Sequence, residues 1–430
     1  MSEKENADIK SGIFDKFTES VMRLSDPLAR FSQIPAVAAV QNGLTTVMPV
    51  IIIGSLFLIV AIFGMPVLGN SGQPLVPQLV PYVPLLNSVN SMTLGFVGFY
   101  AALTISCSYG EQLSLNTKQC GLIGLLTFLF ISFKGTTNGT ISVQYFGALG
   151  LFVSMVTSLC SIKLYKFLLD RKIVINLPES VPPNVGNAFT VLIPLFVIIT
   201  VSWLIRSVLN IDLPAFMSNF LTPLLSAADS FGIFTVIMLI TMLLWSVGLN
   251  GPALLSAITT PIVTASLASN AQAKLEGVPL THIWTETFNF SYIWIASIYP
   301  LLFLMLFSRS KGYKAISIAS IPAAMFNIIE PIVFGLPLAM NIYLMIPFII
   351  SGTLGCSVAY LLTDIGFISR TFAGVPWATP PFISGILSTG DWKVIIVQAI
   401  VFILGLIIYF PFFRMFENIE KRKQATAVSQ

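Results

Sequence analysis

Long apolar runs alternate with short polar breaks along the whole chain. Apolar segments lie near residues 44–64, 93–108, 119–133, 145–167, 188–210, 233–248, 286–307, 315–329, 332–363 and 394–413. A helix needs about 20 apolar residues, at a rise of about 1.5 Å each, to cross a hydrocarbon core of about 30 Å. The pattern therefore predicts an all-α polytopic membrane protein with about ten transmembrane helices. Segments 119–133 and 315–329 are short and interrupted by Pro, Gly or polar residues, as broken or re-entrant helices are. Residues 251–285, rich in Ala, Thr and Ser and then hydrophilic, read as a re-entrant or surface excursion rather than a span. In 211–232, IDLPAFMSNFLTPLLSAADSFG, apolar residues recur at helical intervals around two prolines, which suits an interfacial amphipathic helix.

Composition agrees with this reading. The chain is 55% hydrophobic and 9% charged, with a mean hydropathy of +0.88, whereas a soluble domain carries about 25% charge. No Asp, Glu, Lys or Arg occurs between Phe31 and Gly110, and Val394–Phe413 is a second uncharged run. The distribution of charge says more than the net +4. Lys163, Lys166, Arg171 and Lys172 cluster in one loop, Arg309, Lys311 and Lys314 in another, and Arg414, Lys421, Arg422 and Lys423 near the C-terminus. Positive loops face the cytoplasm, so both termini are expected there. MSEKENADIK lacks an apolar core after a basic start and is not read as a cleaved signal peptide.

These boundaries divide the chain into a tail and amphipathic lead-in at 1–30, a scaffold at 31–210, a linker at 211–232, a working half at 233–415 and a tail at 416–430. Leu177–Asn187, LPESVPPNVGN, reads as a polar connector leading into a span. The scaffold spans are nearly free of ionisable groups, while the second half holds the polar motifs. Cys107, Cys120, Cys160 and Cys356 show no metal spacing and read as packing residues. A single histidine, His282, excludes a His-based metal cluster, and it reads as a loop or membrane-edge residue. No metal, cofactor or nucleic acid is expected.

Three polar islands carry the candidate chemistry. In AAMFNIIEPIVFGLP, Glu330 lies in a hydrophobic stretch, and intramembrane carboxylates usually face a water-filled or substrate cavity. Asn327 lies within one turn of it, and Pro331, Gly335 and Pro337 interrupt the helix, freeing backbone groups for a polyhydroxylated ligand such as a sugar. In FAGVPWATPPFISGILSTG, Pro376, Pro380 and Pro381 preclude a regular helix, while Trp377 offers an apolar face and Thr379 a hydroxyl. In WSVGLNGPALLS, Asn250 sits between two glycines and before a proline. The bland alternatives are a Glu330 that braces a broken helix, a Trp377 in the interfacial belt and an Asn250 that caps a helix. Glu286, in THIWTETF, reads as a bracing or edge acid.

NIIEPIVFGLP, VPWATPPFISGILSTG, INLPESVPPNVGNAF and MPVIIIGSLFLI together resemble the sugar-translocating enzyme IIC of the bacterial phosphotransferase system, in its lactose/cellobiose/diacetylchitobiose family. The resemblance runs over nearly the whole chain. It implies a homodimer of ten-helix protomers in the bacterial cell membrane, with re-entrant hairpin segments, a dimerising N-terminal domain and a C-terminal domain that moves a disaccharide across like an elevator. It implies a phosphorylated cytosolic IIB partner, charged through IIA, whose phosphocysteine phosphorylates the sugar's 6-hydroxyl. The chain contributes to that transferase reaction only with IIB. Glu330 matches the glutamate that contacts the reacting hydroxyl and helps deprotonate it, a role suited to a carboxylate tuned by burial. Trp377 would pack on a sugar ring, with Asn327, Thr379 and Asn250 nearby.

The chain departs from the family pattern at polar positions. Asn250 stands in Gly248–Gly251 where a histidine is common, Gln41 and Asn42 replace an Arg-Asp pair, and IASIYPL at Ile295–Leu301 replaces a glycine-rich stretch. Asn hydrogen-bonds a hydroxyl but cannot carry a proton. The competing expectations are a secondary sugar transporter that transfers no phosphate and a sugar-binding sensor on the same scaffold.

Overall fold

A computed structural model describes residues 18–428 except 24, 66–73, 75, 134–135, 138–139, 142, 144, 176–182, 337 and 339–340. The first residues of the expected cytoplasmic tail, most of the VPP connector and Pro337 lie outside the described residues. The described chain is helical apart from a two-residue antiparallel ladder, β1 (Thr136–Thr137) with β2 (Thr140–Ile141). Among the described residues, eight helical segments are long and apolar enough to cross a membrane, and Thr117–Ser132 and Phe231–Ser246 are shorter apolar helices. Two compact units divide these helices.

The N-terminal unit comprises Ser32–Ala227 and Ala257–Thr281. Its helices are α1 (Pro35–Phe63), α2 (Val83–Thr93), α3 (Val97–Gln112), α4 (Thr117–Ser132), α5 (Ala148–Asp170), α6 (Pro183–Trp203) and α7 (Leu213–Ala228). Helix α3 packs against α1, α4 and α5. Without a hydrophobic drive between helices in lipid, close backbone approach sets such packing. A Cβ on Gly43 of α1 would lie 2.6 Å from the Ile105 Cα of α3, so only glycine fits there. Arg206, 8% exposed, lies in a π-helical turn, donates from Nε to the Phe133 carbonyl at 2.8 Å and pairs with Asp212 at 3.1 Å. Asp212 Oδ1 also accepts the Ala215 N–H at 3.0 Å at the start of α7.

The C-terminal unit takes Ala228–Ser256 and His282–Gln430, together with the residues before Ser32. It contains α8 (Phe231–Ser246), followed after α9 (Gly251–Glu276) by α10 (Glu286–Ser297), α11 (Tyr299–Leu306), α12 (Lys311–Ala324), α13 (Glu330–Gly335), α14 (Ile342–Asp364), α15 (Pro381–Thr389) and α16 (Val394–Val428). Helix α14 packs against α8, α10 and α16, and α10 also packs on α15.

Helix α9 corrects the expected excursion over 251–285. It is a continuous helix long and apolar enough to span. Thr264, Ser266 and Asn270 are buried, so the polarity that lowered the hydropathy of this stretch faces protein. The apolar run read as 332–363 is instead divided between α13 and α14.

His282 lies in the loop before α10, one of its two expected placements, and is enclosed there. Its Nδ1 lies 3.4 Å from Asp229 Oδ2, and the two side chains are 12% and 6% exposed. Asp229 accepts the Ile283 N–H at 2.8 Å and the Trp284 N–H at 2.7 Å, while the Tyr360 hydroxyl donates to its carbonyl. One carboxylate, two residues before α8, thus fastens that end of the chain to the loop entering α10, and Tyr360 of α14 holds the Asp229 carbonyl. Charge-assisted bonds to backbone N–H groups are each worth about 1.5–3 kcal/mol. Asp229→Asn keeps the volume and removes the charge, and it is expected to destabilise the C-terminal unit by about 2 kcal/mol. Thermal unfolding in detergent checks this, and an unchanged midpoint would show that the clasp carries no stability.

Candidate functional site

The site is built from the turn between α12 and α13 and the irregular segment between α14 and α15. Helix α12 ends at Ala324, and the chain reverses through Met325–Asn327, where the Asn327 N–H returns to the Ala324 carbonyl at 2.9 Å. Asn327 has φ +62°, the left-handed region that asparagine tolerates better than most residues. That backbone turns its side chain toward the second segment. Nδ2 donates to the Trp377 carbonyl at 2.6 Å and to the Thr379 carbonyl at 3.1 Å. Asn327 is 5% exposed, and its Oδ1 is a buried acceptor without a partner.

Three residues further, α13 opens with Glu330 at its first position and Pro331 at its second, where the missing proline N–H costs no helical hydrogen bond. Ile329, Ile332 and Val333 are buried and fix the turn from the inside, whereas Glu330 and Pro331 are exposed. Ile329, Ile332 and Val333 point inward and leave Glu330 on the outer face of a one-turn helix.

The facing segment is equally well anchored. Phe372 and Ala373 donate their N–H groups to the Ser388 carbonyl at 2.9 and 3.3 Å, and Thr287 Oγ1 donates to the Ala373 carbonyl at 3.4 Å. The Thr285 and Thr371 hydroxyls bond at 2.6 Å. Gln398 of α16 donates to the carbonyls of Ser291 and Pro381 at 3.0 and 2.8 Å, beneath the first turn of α15. A Cβ on Gly385 would stand 2.9 Å from Gln398 Nε2, so the absence of a side chain admits this contact. The Thr379 N–H closes a tight turn onto the Pro376 carbonyl at 2.9 Å. Out of this frame projects the Trp377 side chain, 54% exposed. Thr379 is partly buried, and its hydroxyl makes no bond among the described residues.

The structure therefore brings Asn327, Trp377 and Thr379 into one hydrogen-bonded group, with Glu330 one turn away. It does not tie Asn250 to them. Asn250 is exposed, and its Oδ1 accepts the Ala253 N–H at 3.0 Å, capping α9. Glu286 occupies the first position of α10 after the cap residue Thr285, whose Oγ1 accepts the Phe288 N–H.

Tyr299 is the residue that motif reading missed. It opens α11 after the break at Ile298, donates its hydroxyl to the Ala324 carbonyl at 3.0 Å and sets its ring edge-on to Phe382, with centroids 6.5 Å apart. Within IASIYPL only an aromatic beside a proline, at a helix break in the middle of an apolar run, distinguished it.

Asn327 holds the turn by both its backbone and its side chain, and two substitutions separate these. Asn327→Gly keeps the left-handed turn and removes the amide, so amide exchange at residues 376–380 is expected to accelerate while α12 and α13 stay protected. Asn327→Ala is expected to lose about a further 1–2 kcal/mol from the strained backbone. Exchange at 376–380 that matches the wild type in Asn327→Gly would show that the amide does not hold the segment.

Residues 41–352 match the family model described as phosphotransferase system, EIIC. The chain is 31% identical to the lichenan permease IIC component of Bacillus subtilis, over 88% of this chain and 89% of that protein. It is 30% identical to the cellobiose-specific EIIC component of Geobacillus stearothermophilus, with the same shares covered. Its structure resembles the crystal structure of ChbC, the IIC component from the N,N'-diacetylchitobiose-specific phosphotransferase system, with a TM-score of 0.82, 28% identity, and 92% of this chain and 97% of that one covered. By match, identity and fold, this multi-pass membrane chain belongs to the phosphotransferase system EIIC family, in its lactose/cellobiose/chitobiose branch.

Proposed function

We propose that this EIIC sugar permease imports a β-linked disaccharide and presents its 6-hydroxyl to the phosphocysteine of a cytosolic IIB partner, itself charged through IIA. The observation that carries the proposal is the divided use of Asn327. Its Nδ2 is spent on the carbonyls of Trp377 and Thr379, while its Oδ1 is left as a buried acceptor. An unpaired buried acceptor is costly, and a hydroxyl-rich ligand relieves it. Around it stand an exposed indole face for a sugar ring, an unbonded threonine hydroxyl and an exposed carboxylate. The relatives named for lichenan, cellobiose and N,N'-diacetylchitobiose support the substrate class.

In this reading Glu330 hydrogen-bonds the 6-hydroxyl and takes its proton as the oxygen attacks phosphorus. The new O–P bond forms as the S–P bond breaks, and the IIB thiolate departs. The protein works as a homodimer assembled through the N-terminal unit, the C-terminal unit carries the sugar, re-entrant segments flank the site and both termini are cytoplasmic. Asn250 then contributes through its amide or only through the cap on α9.

Uptake into proteoliposomes tests the reading. Labelled cellobiose, lactose and N,N'-diacetylchitobiose are offered with and without phosphorylated IIB, and the chemical form inside is identified. One sugar is expected to accumulate as its 6-phosphate only with the partner. Unmodified sugar entering regardless of IIB would instead identify a non-phosphorylating transporter, and binding without flux a sensor. Glu330→Gln is expected to lower phosphoryl transfer by about 10²–10⁴-fold, the span of general acid–base catalysis, with folding retained; wild-type rates would remove Glu330 from the chemistry. Asn250→His is expected to fold, losing about 1 kcal/mol of the cap on α9, and to raise turnover or change the preferred sugar. Loss of sugar binding in that variant would show that Asn250 is fitted to its own ligand.

A further inference from the structure

We infer that Tyr299 is a positioning residue for the transfer step, holding the Glu330 turn in register with the Trp377 segment. The inference rests on the proposed function and adds to it a residue outside the site motifs.

Two elements must keep their mutual register for Glu330 and Trp377 to act on one sugar. Asn327 supplies a first strut between them, from the turn to the carbonyls of Trp377 and Thr379. Buried Ile329, Ile332 and Val333 seat the turn itself, and the Asn327 strut ties it to the Trp377 segment at one end only. Tyr299 supplies a second, from a third element. Its hydroxyl donates to the Ala324 carbonyl at 3.0 Å, the same carbonyl that accepts the Asn327 N–H at 2.9 Å and closes the left-handed turn. Its ring meets Phe382 edge-on, two residues beyond Pro380, where the Trp377 segment enters α15. One side chain thus grips the root of the Glu330 turn with its polar end and the root of the Trp377 segment with its apolar body.

The placement of Tyr299 is itself fixed. Ile298 interrupts the helix between α10 and α11, and Pro300 follows as an early residue of α11. Ile298 and Leu301 are fully buried and Pro300 is buried, so the backbone on either side of Tyr299 cannot shift to follow a moving turn.

Stacking of a sugar on Trp377 is spread over many weak atom contacts and tolerates small shifts, whereas transfer of a proton to Glu330 depends steeply on the separation of the reacting atoms. Loss of the second strut is therefore expected to act on turnover more than on binding.

Tyr299→Phe removes the hydroxyl and keeps the ring against Phe382. With phosphorylated IIB and the sugar that the wild type accepts, kcat is expected to fall about tenfold, while the calorimetric Kd for sugar stays within threefold and the thermal midpoint within two degrees. Tyr299→Leu, which removes the ring as well, is expected to lose more turnover and to weaken binding. The inference is overturned if Tyr299→Phe keeps kcat within twofold of the wild type. It is also overturned if kcat, affinity and thermal midpoint fall in parallel, since that pattern belongs to a residue that only supports the fold. A wild-type protein that makes no phosphosugar would sink the proposed function and this inference with it, whereas an active wild type beside an equally active Tyr299→Phe sinks this inference alone.

Discussion

The left-handed backbone of Asn327 is the constraint on which the site depends, because it lets one short side chain leave a helix turn sideways and reach two carbonyls of a segment fifty residues away. An ordinary residue in a right-handed turn would send its side chain back along α12. Asparagine accepts the unfavourable backbone at modest cost, and its amide divides the work. The donor end closes the protein onto itself, and the acceptor end remains for a ligand. Among the described residues no hydrogen bond joins Glu330 to Trp377, and the Asn327 amide links the turn before Glu330 to the segment that carries Trp377.

The surrounding architecture limits how far these parts can drift. Buried Ile329, Ile332 and Val333 hold α13 from below, and the hydroxyl pairs Thr285–Thr371 and Ser291–Ser384 stitch α10 to the Trp377 segment and to α15. Small hydroxyls and an amide, Gln398, take the place of buried charge across most of this core. That economy suits a protein whose helices must stay soluble in lipid, where an unpaired ion is far costlier than a satisfied hydroxyl. Charge is concentrated instead at joints: Arg206 with Asp212 in the N-terminal unit, and Asp229 with His282 in the C-terminal unit. Glu417 plays the same part near the end of α16, accepting the Ser308 hydroxyl and the Arg309 N–H and pairing with Arg414.

Much of this was legible in the sequence, and the failures have physical causes. Uncharged runs such as 31–110 and 394–413 announce spans because lipid admits little else. The Asn-x-x-Glu-Pro run and the proline-rich Trp377 segment announce irregular backbone because proline cannot continue a helix. Hydropathy hides helix α9 because it counts Thr264, Ser266 and Asn270 as wet, although the fold buries them. Glu330 is expected to face a cavity, and the one-turn helix leaves it exposed while Ile329, Ile332 and Val333 turn inward. His282 lies in a loop, one of its two expected placements, but its enclosure could not be read because its partner, Asp229, lies more than fifty positions earlier. Tyr299 was invisible for the same reason. Its two contacts, Ala324 and Phe382, come from distant stretches, and pairing across such distances leaves no local pattern to read.

The central claim is that Glu330 and Trp377 serve one ligand. The most direct measurement is a structure of the protein with a bound β-linked disaccharide, cellobiose being the first choice. The account requires a sugar ring against the Trp377 indole, a hydroxyl donated to Asn327 Oδ1 and a 6-hydroxyl within hydrogen-bond distance of Glu330. A sugar bound away from Trp377, or stacked on it with its 6-hydroxyl out of reach of Glu330, would contradict it.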